Sequence, residues 1–187
     1  MDTFYSLFYK KTFSSDIVAF PGTFHDRPDA YDQPYDYSFH TGLRKYEFWN
    51  SLSGTEPQMT GKHEKLFTRT HTIRANNGIV STLKQRGSCF HSKWTLVFNS
   101  EEFEWKGDWK SKHFVLTNQS GHPVAKFDRA SRRMSKVGDL IIYGQHDDTV
   151  KALIVFTCCI MYQTVLSSER SSAAAASSSS AAAAVSV

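Results

Sequence analysis

Val150-Lys151-Ala152-Leu153-Ile154-Val155-Phe156-Thr157-Cys158-Cys159-Ile160-Met161-Tyr162-Gln163-Thr164-Val165-Leu166 is the stretch on which the fold turns. Asp147-Asp148-Thr149 precede it, N-capping residues that set acidic charge against the positive end of a helix dipole. On a wheel of about 100° per residue, Lys151, Thr157, Gln163 and Thr164 do not gather on one face. A surface helix collects its polar residues on one side, whereas a helix apolar nearly all round needs protein or lipid all round. Which of the two surrounds it depends on what comes before.

From Lys45 onward the chain reads as short strands divided by turn residues. Lys45-Tyr46-Glu47-Phe48-Trp49 opens the series, Leu66 to Arg74 is Thr-rich, and Asn76-Asn77-Gly78 signals a hairpin before Ile79-Val80-Ser81-Thr82-Leu83. Trp94, Leu96 and Phe98 alternate with polar or smaller neighbours, and His113 to Thr117, Ala125 to Phe127 and Asp139 to Tyr143 follow. About ten strands thus precede the helix, and two aromatic or β-branched runs near the N-terminus, Phe4 to Tyr9 and Asp16 to Phe20, are further strand candidates. A can of about eleven strands is wide enough to hold a helix. The expectation is therefore a mainly β fold, a closed antiparallel barrel of about 10–12 strands enclosing a C-terminal hydrophobic α-helix.

The expected organisation has three parts. Residues 1–44 form a leader, partly disordered, with short strands and an Asp-, Pro- and Tyr-rich mobile loop from Thr23 to Thr41. Residues 45–167 form the barrel with its central helix at 149–167, and residues 168–187 a low-complexity, disordered Ser/Ala tail. No basic and apolar secretory signal opens the chain. Cys89, Cys158 and Cys159 are odd in number, and adjacent helical cysteines point about 100° apart, so reduced core thiols and a cytoplasmic location are expected. The net charge of +4 is uneven: residues 1–60 hold 5 Lys/Arg against 8 Asp/Glu, and residues 61–187 hold 17 against 10.

Thr72-Ile73-Arg74, Phe103-Glu104-Trp105-Lys106-Gly107 with Trp109-Lys110, Val124-Ala125-Lys126-Phe127, Asp139-Leu140-Ile141-Ile142 and Leu153-Ile154-Val155-Phe156-Thr157 occur in a telling order. That order, over roughly residues 45–166, resembles a fungal family similar to the tubby C-terminal-like superfamily, alongside phospholipid scramblases and plant LURP-one-related proteins. The resemblance implies a twelve-stranded barrel around a central hydrophobic helix. It also implies a class of function, since better-known members bind phosphoinositides or act on membrane lipids. The chain departs from the pattern at Ala152, where the family favours an acid; the nearest one here is Asp148.

No catalytic signature is visible: no Gly-x-Ser-x-Gly, no phosphate loop, no His-Glu-x-x-His and no Cys-x-x-Cys. A non-enzymatic protein without a cofactor is expected. The eight histidines are scattered, so no metal site is expected. Lys106, Lys110, Lys112, Arg129, Arg132, Arg133 and Lys136 lie on consecutive hairpins and form a candidate rim for anionic headgroups, so anionic phospholipids at a membrane surface are the expected partner. Trp105 and Phe127 alternate away from much of this charge, which argues against a nucleic-acid stacking platform. Arg132-Arg133-Met134-Ser135 matches a basic-directed kinase site, making Ser135 a candidate for phosphorylation. A monomer at the membrane periphery is the leading expectation. The alternatives are a tail anchor through residues 150–166 and a scaffold for a protein partner; the ~25 Å length of the former is short for a ~30 Å hydrocarbon core.

Overall fold

The structure is a computed structural model that describes residues 1–11, 14–29, 33–42, 45–51, 55–65, 68–86, 93–108, 112–130 and 135–183. Twelve strands and one helix account for most of them: β1 (Thr3–Tyr9), β2 (Ile17–Pro21), β3 (Tyr37–Thr41), β4 (Lys45–Asn50), β5 (Met59–Lys65), β6 (Thr68–Ala75), β7 (Val80–Arg86), β8 (Lys93–Phe98), β9 (Glu101–Asp108), β10 (His113–Thr117), β11 (Pro123–Arg129), β12 (Lys136–Ile142) and α1 (Asp148–Ala183). Each strand pairs antiparallel with its sequence neighbours, and β1 pairs with β12 to close the barrel. Alternation is clearest in β7, where Ser81, Leu83 and Gln85 are buried and Val80, Lys84 and Arg86 are exposed.

The helix lies inside. Ala152 to Cys159 and Ile160 to Gln163 are all buried. Its scattered polar residues are each provided for, which is why they need no common face. Thr157 Oγ1 donates to the Ile154 carbonyl at 3.1 Å and accepts the Trp105 indole N–H at 3.3 Å. Gln163 Nε2 donates to the Ser15 carbonyl at 2.6 Å. The apolar face of α1 is thus spent on protein; a tail anchor would require the barrel to surrender its core. Among the described residues α1 is the one helix long and apolar enough to cross a membrane. Cys158 and Cys159 are free and buried, and burial raises both thiols above their ordinary pKa. Cys89 lies outside the described residues.

Asp147 caps the helix as its sequence suggests, its Oδ1 accepting the Val150 N–H at 2.9 Å. Asp147→Ala is expected to cost about 1 kcal/mol of unfolding free energy. A shift in urea midpoint with an unchanged slope would register it; no shift would mean the barrel alone sets the helix start.

Two expected boundaries are corrected. The barrel begins at Thr3, not Lys45, because β1–β3 supply a quarter of the wall and β1 makes the closing seam. The stretch read as a mobile loop contains β3 and a strap that covers an apolar patch on the outside of the barrel. There Phe8, Val18 and Phe20 are buried under Phe24 and Tyr35. The Phe24 N–H donates to Ser6 Oγ at 2.8 Å, and Ser6 Oγ donates to Asp139 at 2.7 Å. At the other end, α1 runs through much of the supposed disordered tail to Ala183. Alanine is the strongest helix former, and Ser167, Ser168, Ser171 and Ser172 donate back to carbonyls four residues earlier.

Candidate functional site

The sequence-derived basic rim is partly assembled. The β9–β10 and β11–β12 connections fall at the end of the barrel where α1 leaves, and the Arg129 N–H donates to the Lys112 carbonyl at 2.9 Å. Three of the described cations there, however, are paired. Arg129 meets both Glu169 carboxylate oxygens at 3.3 Å and lies 5.8 Å above the Tyr162 ring, tying the helix exit to the wall. Lys136 is nearly buried, with a side chain 9% exposed. It donates to the Phe24 carbonyl at 2.5 Å, pairs with Asp139 at 2.8 Å and sits over the Phe8 ring. It clamps the strap, and its ammonium does not face solvent. Lys106 is exposed but pairs with Glu104 at 2.6 Å, a bond that holds the Glu104 carboxyl below its ordinary value. Lys110, Arg132 and Arg133 lie outside the described residues. The charges of Arg129, Lys136 and Lys106 thus answer acids of the same chain.

Ser135 is exposed, and its carbonyl accepts the Tyr9 N–H at 2.8 Å, so its backbone belongs to the closing seam. Trp105 and Phe127 are fully buried, which removes them as stacking surfaces. Among the described residues, no group of three or more His, Cys, Asp or Glu is placed to hold a metal ion.

A different cluster of cations is less committed. On the outer wall, the β4–β5 register sets Lys45 directly opposite Lys62. Like charges facing each other across two strands are unfavourable, by about 1 kcal/mol or less when well hydrated. One strand further, the register sets Arg74 opposite Thr60 and Thr72 opposite Lys62. These residues, with Gly61 and Glu64, line an open cleft of about 360 Å³. Lys45 leans on Glu47 at 2.7 Å, and Glu64 accepts the Thr72 hydroxyl. Among the described residues, no ion pair engages Lys62 or Arg74, and both are exposed. The cleft thus presents Lys62, Arg74, the Glu47-paired Lys45 and the Thr60 hydroxyl to an anion, with the Glu64 carboxylate, which holds the Thr72 hydroxyl, at its edge. Lys62 was missed because β5, Met59-Thr60-Gly61-Lys62-His63-Glu64-Lys65, carries no β-branched run. The only signal was the density of basic residues between Lys45 and Arg74.

One buried titratable group lies on the inner face nearby. His71 on β6 is 1% exposed, stacked on Trp94 with centroids 5.9 Å apart and edge-on to His63 at 4.8 Å. Among the described residues, neither of its ring nitrogens has a hydrogen-bond partner, nor does Trp94 Nε1. Burial, and then the charge of His63, push its pKa down to about 4. It sits behind the wall and does not reach the cleft lining. No family model matches the chain, and no curated protein or solved structure matches it either.

Proposed function

We propose that this chain is a non-enzymatic binding barrel whose ligand is a phosphorylated anion, of the kind carried by a membrane lipid headgroup, held in the Lys45–Lys62–Arg74 cleft. The observation that carries the reading is Lys45 directly opposite Lys62 in the β4–β5 register, with Arg74 on the next strand. Facing cations are a standing cost that a bridging dianion converts into attraction, and the Thr60 hydroxyl stands ready as a further donor. The sequence resemblance to tubby-like proteins, whose better-known members bind phosphoinositides, implies the same class of ligand; the barrel fold alone does not.

The test is equilibrium binding of soluble inositol hexakisphosphate, followed by sedimentation with phosphatidylcholine vesicles that contain or lack phosphatidylinositol phosphates. Each basic residue near an anionic headgroup contributes about 1 kcal/mol, so Lys62→Gln and Arg74→Gln are each expected to weaken binding about fivefold. Binding that ignores both substitutions, or no binding of either probe, would dismiss the cleft. Soluble binding without vesicle binding would assign it to a free phosphate compound.

A further inference from the structure

We infer that the outer wall of β5–β8 is a membrane-docking face that lays the barrel on its side against an anionic bilayer; this rests on the cleft reading above and adds the partner and the orientation. The register carries the placement. Lys62 lies opposite Thr72, Thr72 opposite Thr82, and Thr82 opposite Val97, so one row crosses four strands. At about 4.8 Å between strands that row spans roughly 14 Å. In the adjoining row, Arg74 lies opposite Val80. Val80 is two residues before Thr82, which makes it the diagonal neighbour of Val97.

Val80 and Val97 are 49% and 37% exposed, two of the four large apolar side chains that face solvent among the described residues. A single exposed valine needs no explanation; two adjacent ones edged by cations are a different case. Arg74 lies beside Val80 and Lys84 lies diagonal to Val97, with Lys62 at the far end of the row; all three are exposed and, among the described residues, without an ion pair. Glu102 stands opposite Val97 on β9 and marks where the face ends. Surfaces that meet anionic bilayers combine these elements: a few apolar groups at headgroup depth, with cations around them in the phosphate layer. Docking on the wall also suits the helix. α1 leaves through one end and runs to Ala183, about 25 Å beyond Leu166, so an approach by that end would drive it into the bilayer.

The experiment compares wild type with the double variant Val80→Thr, Val97→Thr, which keeps side-chain shape and β propensity while removing two methyl groups from the surface. Vesicles of phosphatidylcholine with phosphatidylserine and phosphatidylinositol phosphates are one probe, and inositol hexakisphosphate is the other. The double variant is expected to bind the soluble probe as wild type does, which also reports its fold, and to bind vesicles about tenfold more weakly. Equal vesicle binding by the two proteins overturns the docking face and leaves the cleft standing. Wild type that binds the soluble probe but not vesicles overturns it likewise. If neither probe binds wild type, the cleft falls first and the docking face with it.

Discussion

Phe156→Ala is expected to lower the unfolding free energy by about 3–5 kcal/mol, a large part of the roughly 5–15 kcal/mol typical of a domain. Phe156 is fully buried in the enclosed N-terminal part of α1. Its ring stacks on Phe48 with centroids 5.1 Å apart and leans on Phe39 at 5.8 Å. The wall comes so close that a Cβ on Gly61 would stand 3.1 Å from Phe156 Cζ. The cost of truncating a core side chain depends on how far the surroundings collapse into the gap. A closed barrel collapses poorly, because strand number and stagger set its bore. The loss should therefore lie toward the upper end of the range. Guanidinium unfolding measures it directly, and a loss below about 1 kcal/mol would mean the helix is not gripped at its centre.

Acidification from pH 6.5 to pH 4 is expected to remove about 3 kcal/mol through His71 alone. The imidazole titrates near 6.5 in the unfolded chain and at about 4 in the folded one. Between those values the unfolded chain binds the extra proton, so stability falls as pH falls, and above pH 6.5 the penalty is absent. The cause is burial, then the charge of His63; among the described residues neither ring nitrogen has a partner to share a positive charge. His71→Phe keeps a flat ring against Trp94 and removes the titration. The variant should match or exceed wild type at neutral pH and show a shallower decline in acid. Parallel pH profiles for the two proteins would place the acid sensitivity on other groups.

The part of the molecule most legible in sequence was the part governed by burial. An apolar helix with polar residues on every side had to be enclosed, and the structure encloses it. The Asp147 cap and the alternation around Trp94 and Leu96 were local signals and were read as such. Strands β3 and β5 escaped because their membership depends on neighbours: Tyr37 to Thr41 follows an Asp- and Pro-rich run, and Met59 to Lys65 is largely polar. The Ser/Ala segment escaped in the opposite sense, since low complexity hid a strong helix propensity.

The candidate site was less legible, because opposing charges declare themselves only through register. Lys136 answers Asp139 three residues on, but also the Phe24 carbonyl, 112 positions away. Arg129 answers Glu169 from a segment expected to be disordered. Nothing in the order of residues says that Lys45 faces Lys62 across two strands.

The seam between β1 and β12 sets a timetable for assembly. Ser6 and Asp139, joined there, are 133 positions apart, so the first strand made is completed only by the last. Pairing across so long a separation raises the contact order, and the entropy of closing that loop must be met before the seam repays it.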